Sequence, residues 1–355
     1  MPRPTKIIID LKAMRKNLEI ARGSANAKVI AVVKANAYGH GLDRVLPVVE
    51  QADALALLEI DRAIELRQAG FVKPIILLEG FFDPNEIATF SQKNLTAVIH
   101  HKDQVDMLVS ANLEKPIGVF LKMNSGMNRL GFSIEDFDKM YQTLSISKNV
   151  KSIVAMTHFA DADGEKGIEW QLKRFKAAKT AALRDVETSM GNSATILKYP
   201  EAVGDWSRPG IMLYGAAPFP ASGHSLFPVM SLISEIISTQ IVDKGQTIGY
   251  GCDYICEKKM LVGIVACGYG DGYPRNVISG TPVMIGKFKA PIVGRISMDL
   301  LAVDLSNLPR LDQKTVVTMW GNGLPVESIA KAARTISYDL LCRVSNRVPA
   351  RVLSL

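Results

Sequence analysis

Short apolar runs rich in β-branched residues recur along the first two-thirds of the chain. Each ends at a polar or glycine-rich stretch and is followed by apolar positions at helical spacing. The runs occupy residues 29–33, 54–58, 74–78, 96–99, 117–121, 152–157 and 186–190, with a shorter eighth near 203–206. They are apolar throughout and do not alternate with polar residues, the pattern of parallel strands covered on both faces. Their spacing is that of one strand-plus-helix unit. Helix boundary signals agree: Asp83, Pro84 and Glu86 form an N-cap, a first-turn proline and a capping-box acid, and Gly70 stands where a left-handed C-cap falls. About eight such units predict an α/β fold of the (β/α)8, TIM-barrel type. A doubly wound sheet is the alternative, but no G-x-G-x-x-G follows the first run.

After Gly215 the pattern changes. Residues 216–228 are rich in proline, serine and glycine and predict a linker. Runs at 261–266, 282–285, 292–297 and 316–320 are then separated by glycine turns, with helical spacing only at 325–333. The expectation is a barrel over 1–225 and a mostly β domain over 226–355.

With 48% hydrophobic and 22% charged residues, the 355-residue chain has the composition of a globular protein and not of a disordered one. Its net charge of +7, from 42 basic against 35 acidic side chains, is interleaved along the chain. That predicts a mildly basic solvated surface and no nucleic-acid partner. Cys252 and Cys256 form a lone C-x3-C without a second pair or a nearby histidine, so neither a disulfide framework nor a metal site is expected. The isoleucines before Asp10 are too few for an anchor, and prolines break the uncharged stretch 209–234, so no membrane segment is expected and cytoplasm is the default.

In a barrel of this type reactive groups gather at the C-terminal ends of the strands. Those positions carry Lys34, Glu79, His100, Lys122 with Arg129, His158, Asn192 with Ser193, and Arg208. The set is rich in cations and suits an anionic ligand. Lys34 leaves a buried strand, where desolvation lowers its pKa and frees a neutral amine for imine formation or for base catalysis. A lysine that merely snorkels out of the barrel mouth would occupy the same position. Arg208, Pro209 and Gly210 precede a predicted short helix at 211–214, and a helix start after the last strands is a frequent phosphate site in barrels, to which Ser193 could add a hydroxyl. An imine-forming lysine beside a phosphate cradle suggests pyridoxal phosphate. The segments Gly268–Tyr273 and Thr247–Gly251 predict glycine-flanked β-turns carrying tyrosines.

The run Ala31-Val32-Val33-Lys34-Ala35-Asn36-Ala37-Tyr38-Gly39-His40-Gly41 resembles the cofactor-attachment motif of alanine racemases. Further segments around Lys122–Arg129, Thr157–His158, Gly191–Ser193, Arg208–Ile211, Gly249–Gly251, Gly268–Tyr269, Ser297–Asp299 and Thr335–Tyr338 follow in that family's order. The resemblance spans the chain. It implies a pyridoxal-phosphate barrel, a C-terminal β domain and a head-to-tail homodimer with shared active sites, acting on alanine and most commonly supplying D-alanine for cell-wall peptidoglycan. It also implies roles. Lys34 resembles the lysine that carries the cofactor and acts as one base, and Tyr250 from the partner subunit the opposing base. Arg208 would face the pyridine nitrogen. Tyr38, Asn192, Ser193, Gly210, Ile211 and Tyr338 would hold the cofactor, chiefly its phosphate, and His158 would link Arg208 to Tyr250. Arg129 with Met298, Tyr269 and Asp299 would bind substrate. Lys122 matches a lysine carbamylated in some members.

Elementary chemistry is consistent with those roles. Racemisation removes a proton from one face of a carbon and returns it on the other, so two bases must oppose each other. A phenol with a pKa of about 10 is a poor base at neutral pH unless positive charge stabilises the phenolate, and the expected Arg208–His158 pair would supply it. An arginine at the ring nitrogen keeps its own proton and leaves that nitrogen unprotonated. Alternatives are a barrel-type decarboxylase, a serine racemase, or a barrel protein that binds the cofactor without turnover. Arg208 in place of an acid disfavours the first, and the second domain disfavours the last.

Overall fold

The computed structural model describes residues 3–178, 185–219, 225–309 and 315–354. After a first strand, β1 (Lys6–Asp10), eight parallel strands follow: β2 (Lys28–Val32), β3 (Ala54–Leu57), β4 (Ile75–Leu77), β5 (Thr96–Ile99), β6 (Ile117–Lys122), β7 (Val150–Met156), β8 (Thr188–Ser189) and β9 (Trp206–Ser207). Their order, β8-β7-β6-β5-β4-β3-β2-β9, is that of a barrel wall. The ring closes between β8 and β9 through a parallel bridge from Asn192 to Arg208, not through a full ladder. Most strand positions are buried, and β6 is buried along its whole length, Lys122 included. This is why the runs read as continuous apolar stretches. The eighth strand falls slightly later than its predicted position.

The local signals act as expected. Asp83 caps the helix Pro84–Gln92 by accepting from the Asn85 amide at 2.8 Å, and Glu86 reaches back to the Phe82 amide at 2.7 Å. Gly70 sits at φ 91° just beyond the helix Ile60–Gln68. The 3-10 turn Ile211–Tyr214 follows Gly210.

The C-terminal part contains β10 (Met230–Val242), β11 (Thr247–Ile248), β12 (Tyr254–Ile255), β13 (Met260–Val265), β14 (Pro282–Ile285), β15 (Phe288–Val293), β16 (Leu301–Asp304), β17 (Val316–Trp320) and β18 (Ala350–Leu353). The long β10 changes partners along its length. Its first half pairs with β1 and β17, and its second half, past an irregularity at Ile236–Ser238, pairs with β13. That double pairing closes an antiparallel barrel of β10, β13, β16, β15, β14 and β17. Strand β1 crosses the boundary expected at residue 225: it lies in this sheet, between β10 and β18. Residues 220–224 of the expected linker lie outside the described residues. One continuous core joins both parts, from Ile7 and Ile9 through the barrel to Trp320. A short helix, Ser337–Cys342, folds back onto the barrel mouth. No helix among the described residues is long and apolar enough to cross a membrane.

Candidate active site

The C-terminal ends of the barrel strands surround a cavity of about 660 Å³. It is lined by Lys34, Tyr38, Lys122, Arg129, His158, Asn192, Ser193, Arg208, Gly210, Ile211 and Tyr338, which places eleven of the sequence-predicted residues around one space. Apolar side chains at neighbouring strand ends, Leu58, Leu78 and Met156, form part of the wall together with Leu130 and Cys342. Sequence reasoning missed these because a leucine at a strand end looks like any core leucine. Glu79 is the one acid on the wall among the described residues.

Lys34 and Tyr38 reach the cavity through an unusual turn. Ala35, Asn36, Ala37 and Tyr38 have φ of 52°, 51°, 56° and 51°, a complete left-handed turn without glycine. Such a conformation costs about 1–2 kcal/mol per residue and persists only where surrounding bonds hold it. Here the Ala37 amide donates to Val33 O at 2.9 Å, the Gly41 amide to Asn36 O at 2.9 Å, and the Leu42 amide to Asn36 Oδ1 at 2.9 Å. Gly39 follows at φ 78°, where a Cβ would fall 2.1 Å from the Leu341 carbonyl oxygen, so the helix carrying Tyr338 packs directly on this turn. Only Asn36, which tolerates left-handed backbone, hints at this in the sequence.

The cavity is strongly cationic. Burial, followed by Arg129, pushes the Lys34 amine below the ordinary lysine range. Lys122 is pushed down to about 8 by burial, then by Arg208, Arg129 and Lys34. Arg208 is fully enclosed and pushed down to about 10 by burial, which leaves it charged at neutral pH. Its Nη1 donates to Ser189 Oγ at 2.6 Å, and its Nη2 donates to Thr157 O at 2.7 Å and lies 3.4 Å from His158 Nδ1. A guanidinium only donates, so His158 Nδ1 is the acceptor and the ring proton sits on Nε2. Burial and the surrounding cations hold this imidazole well below its usual pKa, so it is neutral. The permanent charge of the pair therefore rests on Arg208 alone.

At the other end Ser193 Oγ accepts from the Gly210 amide at 2.9 Å and the Met212 amide at 3.4 Å, leaving its own proton free to donate. The Tyr38 hydroxyl lies so close to Gly210 that a Cβ there would sit 2.5 Å from it. Tyr338 stands 6.0 Å from Tyr38, ring to ring. Burial keeps both phenols protonated, with Tyr338 raised to about 12 and Tyr38 raised further. Three hydroxyl donors and a glycine-floored recess suit a phosphate.

Tyr250, Tyr269, Met298 and Asp299 are not in this cavity. They lie on loops of the C-terminal part, and Tyr250, Met298 and Tyr269 are 69%, 53% and 39% exposed. Two of these loops are nevertheless firmly built. The Gly270 amide donates to Met298 O at 2.8 Å, and buried Asp271 accepts from the Gly268 amide at 2.9 Å and from Arg347 Nε at 3.0 Å. Arg347 Nη2 reaches Asp299 at 2.7 Å, and Arg3 pairs with Asp271 as well. Gly268–Tyr273, expected as a β-turn, contains a 3-10 turn at Tyr269–Asp271 closed by Gly272 at φ 103°.

Residues 9–218 match the alanine racemase N-terminal domain and residues 229–352 the C-terminal domain of the same family. The alanine racemase of Ralstonia pickettii is 45% identical, with 99% of this chain and 96% of that protein covered. Among solved structures, the biosynthetic alanine racemase of Pseudomonas aeruginosa superposes with a TM-score of 0.95 at 40% identity, covering 99% of this chain and all of that one, 100%. The Bartonella henselae alanine racemase, described with covalently bound pyridoxal phosphate, gives 0.88 at 25% identity over 99% of this chain and 100% of that chain. A lysine-bearing cationic barrel mouth, a second β domain and matches over nearly the full length of both parts together establish that the chain belongs to the alanine racemase family.

Proposed function

We propose that this protein interconverts L- and D-alanine using pyridoxal phosphate held on Lys34, in a site completed by Tyr250 of the partner subunit in a head-to-tail homodimer. The observation that carries this reading is the cavity itself: a desolvated lysine, a buried arginine and a hydroxyl-lined recess share one enclosed space. The residues fit the cofactor, because the recess has donors for a phosphate and no Cβ at Gly210 to obstruct it. Bound there, the cofactor supplies an electron sink for the electrons left when the substrate Cα loses its proton.

The protein's own groups do the rest. Lys34, whose amine burial and then Arg129 push below the ordinary lysine range, takes or returns a proton at Nζ on one face of Cα. Tyr250 of the partner subunit does so on the other face, close to the fixed charge of Arg208 as relayed through His158. Arg208 is anchored through Nη1 to Ser189 and through Nη2 to Thr157, and a remaining N–H would face the pyridine nitrogen. Being a permanent donor, it leaves that nitrogen unprotonated and favours return of the proton to Cα. Arg129 holds the substrate carboxylate with Met298 of the partner subunit, and Tyr269 and Asp299 of the partner subunit border the substrate. Lys122, whose amine pKa is pushed down to about 8, is suited to carbamylation, and the carbamate would orient Arg129. Supply of D-alanine for peptidoglycan, in the cytoplasm, is the role this activity most commonly serves.

A chiral assay of L- and D-alanine, with serine in parallel and with and without added pyridoxal phosphate, tests the reading. Interconversion of alanine that depends on the cofactor supports it. A holoenzyme that leaves both alanine enantiomers unchanged, or that turns over serine alone, refutes it.

A further inference from the structure

We propose that His40 is a positioning residue for the cofactor cradle: through its Nδ1–H and its tilted packing on Tyr214 it locks the left-handed turn that presents Lys34 and Tyr38 to one ligand. The inference rests on the cofactor assignment above. His40 is completely buried, and its Nδ1 lies 2.9 Å from the Tyr38 carbonyl and 3.1 Å from the Ala37 carbonyl. Both are acceptors, so Nδ1 carries the ring proton and Nε2 is a bare lone pair. That lone pair has no partner among the described residues. A buried acceptor left unpaired is a cost, and what the ring does on its other side explains why it is tolerated. It caps the carbonyls of the last two residues of the left-handed turn, the positions where the strained backbone would otherwise relax.

The ring closes a circuit. It packs on Tyr214 at 4.7 Å, Tyr214 stacks on Tyr38 at 4.7 Å and 26°, and the Tyr214 hydroxyl donates to Val32 O at 2.9 Å, two residues before Lys34. The end of β2, the lysine, the turn, the Tyr38 phenol and the Gly210 recess are thereby held at fixed separations. Burial drops the imidazole pKa to about 4, so no charge disturbs the lock at neutral pH. His40 does not line the cavity, so it acts through Lys34 and Tyr38.

The test uses full-length protein stripped of cofactor and titrated with pyridoxal phosphate, followed by the absorbance band near the visible edge. His40→Phe keeps an aromatic ring and removes the donor, whereas His40→Asn keeps a donor near the Nδ1 position. His40→Phe is expected to raise the apparent Kd by about tenfold and to slow band formation, with the KM for alanine at saturating cofactor unchanged, and His40→Asn to recover most of the affinity. A purely structural role predicts a lower melting temperature with unchanged Kd, and that result overturns the inference. If His40→Phe is insoluble, Tyr214→Leu, which removes the ring that His40 packs on, is expected to weaken cofactor binding several-fold, and native-like binding there overturns it equally. A native protein that forms no band removes the cofactor reading and this inference together. A native band with equally tight variants removes the inference alone.

Discussion

The barrel mouth and the C-terminal loops that carry Tyr250, Tyr269 and Met298 are built on opposite plans. At the barrel mouth, strand ends, a strained turn and a returning helix bury cations around one cavity, with Arg208 tied to Ser189 and to the Thr157 carbonyl. On the loops, buried polar groups such as Asp271 hold the framework while the chemical side chains project into solvent. The first region is a finished binding site, and the second is a rigid presentation of unfinished contacts. In the proposed reading a single folded chain holds the cofactor and is short of a second base. The proposed sharing of the site between two copies of the chain rests on this contrast, and four experiments test it.

The largest effect is expected from paired inactivation. Lys34→Ala and Tyr250→Phe should each lower racemisation by roughly 10²–10⁴-fold or more. Unfolded together and refolded as mixed dimers, the two variants should regain about a quarter of native activity, since half the dimers are mixed and each mixed dimer holds one intact site. No recovery on mixing would place both groups in the same chain's site.

The second experiment separates the two faces. In deuterium oxide, Tyr250→Phe should slow exchange of the α-proton from L-alanine far more than from D-alanine, by about tenfold or more. Equal slowing of both enantiomers would contradict the assignment of Lys34 and Tyr250 to opposite faces.

A smaller effect is expected away from the chemistry. Arg347→Ala removes the ties to Asp271 and Asp299, so the Met298 loop should loosen and the KM for alanine rise about three- to tenfold, with cofactor affinity unchanged. A matching loss of cofactor affinity would show that the loops and the barrel mouth are not independent.

The smallest concerns Lys122. Its amine is neutral above about 8 and protonated below, and only the neutral form adds carbon dioxide. Removing carbon dioxide should lower activity about two- to fivefold, and restoration by bicarbonate should grow as pH rises through that value. Restoration that is flat with pH, or strongest in acid, would rule out a carbamate at this position.

Much of the barrel and of the cavity's cation set is legible along the chain. Each βα unit is a local pattern: an apolar run, a cap such as Asp83 with Glu86, and a C-terminal glycine such as Gly70. The rule that strand ends carry function then points to Lys34, Lys122, His158 and Arg208 without knowledge of packing. The left-handed turn at Ala35–Tyr38 has no such signature. Its conformation is imposed by His40, Tyr214 and the backbone near Leu341, two of which come from distant parts of the chain. The charge state of His158 is equally invisible in sequence, because it is set by burial and by cations from three different strand ends.

The succession of elements, the change of pattern after the barrel and the residue types at each strand end are written locally in the chain, since they follow from periodicity and capping over a few residues. Only folding put β1 into the distant sheet, made the turn at Ala35–Tyr38 left-handed and drew Lys122 down to about 8. Those outcomes depend on burial and on fields summed from groups far apart in the chain, and neither exists until the chain has folded.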